Sequence, residues 1–148
     1  MIKEVIAYFF KIFKKRVVLV GVPAIIINKE RKILLGKRSG VVFYNGFWGL
    51  PGGVVEYKET IEEAAKRELR EELGVEVKIL KYGKPKMNLP NKECPLQTLD
   101  IPVYCKIIKG KPKAKSETSK ISWFSPKEIK KLKLAYSHKE LLKQEKLI

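Results

Sequence analysis

An α+β domain is predicted by three features: Val- and Ile-rich runs of strand length, one long capped helix entered from a Gly-Gly stop, and a composition without breaks or internal repeats. In chain order, residues 17–28 read as a strand interrupted by Gly21 and Pro23. A polar turn at Lys29-Glu30-Arg31 leads to residues 33–37 as the hairpin partner. Residues 39–46 form a loop with a turn at Asn45-Gly46, and residues 48–50 lead into the Gly52-Gly53 stop. Thr60 and Glu63 have the spacing of a capping box, so a helix starts at Ile61 and ends at Gly74, which suits a left-handed cap. Residues 75–80 alternate as a strand, and residues 83–95 form a long loop marked by Pro85, Pro90 and Pro95, a length usual for loops that bind or move. Residues 99–108 are a further strand and 121–124 the last. Ser125-Pro126-Lys127-Glu128 is a second capping box, and Ser137 with Glu140 caps a final short helix.

The 148 residues suit one domain, divided here into an extension at 1–16 and a domain at 17–148. The extension places Ile2, Val5, Ile6, Phe9, Ile12 and Phe13 at helical spacing with basic residues toward its end. It reads as a helix packed on the domain or on a second subunit, or as a basic helix resting on a membrane surface, the second being disfavoured. Glu4 and the lack of a small-residue cleavage site argue against a secretory signal, and no run is long enough to span a bilayer. The formal charge of +16 comes almost wholly from lysine, with five arginines, and attracts anions in general. A Lys/Glu-rich, heat-adapted composition produces part of it, so nucleic acid is not expected as the primary partner. Cys94 and Cys105 lack metal-type spacing and read as buried reduced thiols of a cytoplasmic protein. The sole histidine, His138, reads as a surface or capping residue.

On a wheel of 100° per residue, Ile61, Ala64, Ala65, Leu69 and Leu73 share one arc that should face a core. Glu68 and Glu72 fall inside that arc and Glu71 at its edge, while Lys66, Arg67 and Arg70 take the solvated side. Three carboxylates within one helical turn repel one another and are costly to bury, unless a cation sits among them. Oxygen-only donors suit Mg²⁺ or Mn²⁺, which complete their shells with water and substrate phosphates. An isolated E-x-x-E-E run more often describes a solvated helix face.

The spacing of the whole stretch is more specific. Gly53, Glu59, Arg67-Glu68-Leu69, Glu71-Glu72 and Gly74-Val75 resemble the complete signature of the Nudix hydrolases, with no departure at a defining position. The resemblance extends over about residues 17–134. It implies an α/β/α sandwich with a mixed sheet, and a loop-helix-loop platform holding Mg²⁺ or Mn²⁺ through Glu68, Glu71, Glu72 and a carbonyl of the Gly52-Gly53 turn, assigned to Gly53. It further implies that Glu59 and Arg67 pair to hold loop and helix in register. Glu117, in the loop before the last strand, is implied as a further catalytic acid. Arg38, Trp48 and Pro90 are implied on the substrate side.

The resemblance implies a hydrolase of the pyrophosphate bond in a nucleoside diphosphate linked to another moiety. Pro90, some 15 residues past the box, tilts the choice toward ADP-ribose. A MutT-like hydrolase of nucleoside triphosphates, oxidised ones included, is the competing enzyme. A domain that binds nucleotide or RNA without turnover is the alternative of another class, and the intact glutamate set counts against it. A homodimer is compatible with all three.

Overall fold

The computed structural model describes residues 17–148 and, before them, Glu4 alone; the helix anticipated over residues 1–16 lies outside the described residues. The first strand is broken as expected, into β1 (Val18–Gly21) and β2 (Ala24–Ile26). The run at 99–108 is broken too, into β7 (Gln97–Asp100) and β8 (Val103–Lys109), where one strand was expected. The two breaks share a cause. β1 runs parallel to β7 and β2 parallel to β8, in registers that bring Pro23 opposite Pro102. Neither proline has an N–H for the ladder, so the sheet parts at that level. Ile101 N–H to Gly21 O and Val103 N–H to Pro23 O, at 2.8 and 2.9 Å, bridge the gap.

On the far side of β7–β8 lie β5 (Glu76–Tyr82), antiparallel to β8, and β6 (Lys86–Asn88), antiparallel to β7. The segment read as loop 83–95 therefore begins with a short strand. β3 (Ile33–Arg38) sits between β4 (Trp48–Gly49) and β9 (Thr118–Phe124), both antiparallel to it. The expected hairpin of β2 with β3 is reduced to a turn and one bridge between Ile27 and Ile33. Backbone pairing of β2 and β3 went instead to β8 and β9.

Both faces of the central strands are buried, and alternate residues serve opposite layers. Ala24, Ile26 and Leu34 join Ala64, Ala65, Leu69 and Leu73 of α1 (Ile61–Leu73). Ile25, Ile33 and Leu35 face the other way, against Ile129 of α2 (Pro126–Ile129) and Leu141 and Leu142 of α3 (His138–Gln144). This is an α/β/α arrangement, with period-2 strands sorting side chains between two helical layers. Leu69 and Leu73 are almost wholly buried, and each contributes roughly 2 kcal/mol on that account.

Two expectations near the C-terminus are corrected. Ser137 occupies the first-cap position of α3, but its hydroxyl turns away to Asn88 Oδ1 and makes no cap bond. His138 is buried rather than at the surface, and its Nδ1 accepts from Leu50 N–H at 3.0 Å.

Candidate active site

The helix α1 begins and ends where its sequence dictates. Thr60 Oγ1 accepts from Glu63 N–H while Glu63 Oε2 accepts from Thr60 N–H, closing the capping box. Gly74, at φ 69°, ends it in the left-handed region. What fixes the helix relative to the sheet is the turn before it. Val22 N–H donates to Gly53 O and Ala24 N–H to Pro51 O, at 2.8 and 2.7 Å, so the turn docks on the β1–β2 break. Gly52 adopts φ 136°, and a Cβ there would overlap Val22 O; only glycine allows this approach.

The glutamates of α1 face this turn. A Cβ on Gly53 would overlap the Glu68 carboxylate, which lies directly against the bare glycine. Glu72 Oε2 accepts from Gly52 N–H at 2.9 Å. Glu71 is more exposed, with 57% of its side chain accessible, and its Oε2 lies 3.6 Å from Arg67 Nη1. The Gly53 carbonyl, assigned to metal from the sequence, already accepts the Val22 N–H and has one lone pair left for any other partner.

Arg67 does not lie on a solvated face as the wheel suggested; only 20% of its side chain is accessible. Its Nε and Nη2 donate to both oxygens of Glu59 at 2.7 and 2.9 Å, and Nη2 also donates to Val54 O. Nη1 donates to Glu68 Oε1 at 2.7 Å and lies 3.6 Å from Glu56. The wheel treated the helix as isolated, whereas the 54–59 loop folds over this side. The Arg67 hydrogen bond holds the Glu59 carboxyl below the usual carboxylate range, and the pair raises the Arg67 pKa. Burial pushes Glu68 the other way, up, and outweighs the opposing pull of Arg67.

Among the described residues no three acidic, histidine or cysteine side chains are grouped so as to hold a metal ion as they stand. The donor set nonetheless fits a hard cation in kind: oxygens only, one of them on an acid that burial disfavours when charged and that a cation would hold ionised. Arg67 Nη1, between Glu56, Glu68 and Glu71, marks where positive charge is already drawn.

The remaining sequence candidates fall in three places. Glu117 is half-buried in a loop tied at one end to α1, by Lys115 N–H to Glu72 O, and at the other to the end of β3, by Ser39 N–H to Glu117 O. Arg38 turns toward the C-terminal segment, with Nη2 3.4 Å from the Tyr136 hydroxyl and the guanidinium 5.1 Å from that ring's centre. Trp48 packs edge-on against Phe124 at 4.8 Å, within the core beside α3. Pro90 is exposed; its neighbours Leu89 and Asn91, rather than Pro90, help line a cleft of about 200 Å³ with Tyr44, Tyr136 and Ser137.

Sequence reasoning missed that cleft's floor. Asn88 Nδ2 donates to Asp100 Oδ2 and Thr98 Oγ1, both at 2.7 Å, and its Oδ1 accepts from Ser137. Asp100 is buried, which pushes its carboxyl up. The only signal was a lone aspartate in an apolar strand. Asp100 is level with Gly21 on the next strand, and Gly21 is bridged to Val54, beside Gly53. Two strand spacings, about 10 Å, thus separate the Asp100 backbone from Val54, and Asn88, the member of this network that lines the cleft, lies one strand further out.

A model of the NUDIX domain matches residues 18–144. An ADP-ribose pyrophosphatase of Methanocaldococcus jannaschii is 35% identical over 118 residues, covering 80% of this chain and 68% of that protein. The CTP pyrophosphohydrolase of Escherichia coli is 42% identical over 64 residues, and the match covers 43% of this chain and 47% of that one. Among solved structures, the E. coli ORF135 protein superposes with a TM-score of 0.73 at 28% identity, over 88% of this chain and 90% of its own. The chain therefore belongs to the NUDIX domain family and is a hydrolase acting on pyrophosphate bonds.

Proposed function

We propose that this hydrolase cleaves the diphosphate of a nucleoside diphosphate linked to another moiety, with ADP-ribose as the preferred substrate. The observation that carries this reading is the 118-residue similarity to the archaeal ADP-ribose pyrophosphatase, which takes in most of the chain rather than the box alone. The cleft that Tyr44 and Tyr136 help to line supports it, as a concave site offering aromatic edges and polar side chains to a nucleoside.

Hydrolases of this family generally need a divalent metal, usually Mg²⁺. Here Glu68, Glu71 and Glu72 would hold it, with Gly53 assisting through its carbonyl. Such an ion would screen the charge of the diphosphate and acidify a water for attack. Glu59 acts through Arg67, which it holds by both carboxylate oxygens, and Arg67 in turn would position Glu68. Glu117, whose loop is bonded to the end of α1 that carries Glu72, would be one candidate to take a proton from the attacking water, beside the box glutamates and Glu93. Arg38, beside Tyr136, sits at the nucleoside end and offers positive charge to a phosphate there.

A substrate panel with product analysis tests this. ADP-ribose should give AMP and ribose phosphate with Mg²⁺, at a kcat/KM at least 10-fold above that for nucleoside triphosphates. The reverse order, with monophosphate and pyrophosphate as products, would replace it with a triphosphate pyrophosphohydrolase; the CTP-cleaving relative gives that second reading its support.

A further inference from the structure

The outer face of β5 and β8 carries lysine where a sheet should avoid it. Lys78 of β5 and Lys106 of β8 are directly opposite in register, and both are exposed. Like charges facing each other across an antiparallel pair destabilise it. Among the described residues neither lysine has an acidic side chain within ion-pair distance. Glu76 is the one acid on the two strands, and Arg70 holds both its oxygens at 2.6 and 3.0 Å.

Two ordinary explanations fall short. Lysines on an edge strand block edge-to-edge pairing, which accounts for Lys78; β8 is the central strand of β2-β8-β5, and Lys106 stands one residue past the end of its ladder with β2. Heat-adapted surfaces interleave lysine with glutamate in networks, and among the described residues neither Lys78 nor Lys106 belongs to one. The same face also exposes Leu80 and borders an apolar groove of about 380 Å³ that includes Tyr104 and Trp123, with Lys29 and Lys106 among its lining residues. Lys81 Nζ adds a further cation, 4.5 Å from the centre of the Tyr104 ring. On each strand the lysines stand three residues apart, Lys78 and Lys81 on β5 and Lys106 and Lys109 on β8.

We propose that this face binds single-stranded nucleic acid, the lysines tracking its phosphates and the groove receiving unstacked bases. The aromatic and apolar floor beneath a cationic rim is the combination that single strands use, whereas a duplex offers no free base faces. The assignment is independent of the substrate cleaved at α1.

Fluorescence anisotropy with a labelled 12-nucleotide RNA, titrated between 50 and 200 mM KCl, tests it. The wild-type chain should bind with steep salt dependence. Lys78→Gln with Lys106→Gln should weaken binding roughly 10-fold and reduce the log–log salt slope by about 1.4, the release expected from two single-strand phosphate contacts. The double variant should keep its nucleotide hydrolysis rate and its Tm, or raise the latter through relieved repulsion. No RNA binding at 50 mM KCl would overturn the proposal, as would an unchanged slope in the variant, which would leave only the diffuse field of the whole chain. Co-sedimentation with phosphatidylserine vesicles that excess RNA fails to reverse would also overturn it, in favour of a membrane surface.

Discussion

Arg67 and His138 each anchor a place where titratable side chains leave water, and the two are arranged in opposite ways. Around Arg67, the carboxylates of Glu56, Glu59, Glu68 and Glu71 lie within 4 Å of one guanidinium. Four acids against one base leave negative charge in excess. The His138 ring itself keeps no charge: burial and the nearby Arg38 lower its pKa to about 3, so the ring is neutral and accepts from Leu50 N–H. Asp100 is likewise pushed toward its neutral form and held by Asn88 and Thr98. A buried network closed by hydrogen bonds needs nothing more. An acidic cluster with a charge deficit does, and only the first place is therefore suited to recruiting a cation.

The strongest way to break that contrast is Glu72→Gln. The amide keeps an oxygen for the Gly52 N–H, so the turn should stay docked and the Tm nearly unchanged. The charge is lost, and Mg²⁺-dependent turnover should fall roughly 100-fold or more. Steady-state rates near wild type would remove Glu72 from the metal set. EDTA should abolish wild-type turnover, with recovery on adding Mg²⁺.

Next in size is Arg67→Ala. It leaves Glu59 and Glu68 without their shared cation in a largely enclosed position, for a loss of about 2–3 kcal/mol, below the value for fully buried pairs because part of the cluster is wet. Thermal unfolding should show Mg²⁺ restoring more Tm to this variant than to the wild type. Equal metal effects on both would mean that the acids do not bind the ion as a group.

The neutral site answers to pH instead. The folded pKa of His138, about 3, lies below the unfolded value near 6.5, so the unfolded chain binds more protons between them. The stability attributable to this ring is complete above about pH 6.5 and is lost as the pH falls toward 3. Between pH 7 and 5 the loss is about 2 kcal/mol. Urea unfolding at the two pH values measures it, and His138→Gln should flatten the profile in that interval.

The contrast also explains what was legible in the sequence. The α1 platform is local: Thr60, Glu63, Gly74 and the box glutamates lie within one turn and one helix, where periodicity and spacing carry the information. Arg67 was misplaced because its enclosure depends on the 54–59 loop folding back, which a helical wheel omits. The Asn88–Asp100–Ser137 network draws on β6, β7 and the start of α3, brought together by sheet order alone. His138 was read as a surface residue for the same reason, its partner Leu50 being 88 positions away. Pro102 was in plain view, yet its effect on β7–β8 depends on Pro23 standing opposite, a fact of register.

The smallest effect separates the helix from its chemistry. Thr60→Ala removes the acceptor for Glu63 N–H at the start of α1, 3.2 Å away, and should cost about 1 kcal/mol. Thr60 lies two turns before Glu68, and the docking of the Gly52-Gly53 turn onto Val22 and Ala24 does not involve it. If the turn and Arg67 position the glutamates, turnover at 25 °C should stay within two-fold of wild type while the Tm drops by a few degrees. A large loss of kcat in a chain still folded at that temperature would mean that the first turn of α1 transmits order to Glu68. The platform would then be set from the helix start rather than from the sheet.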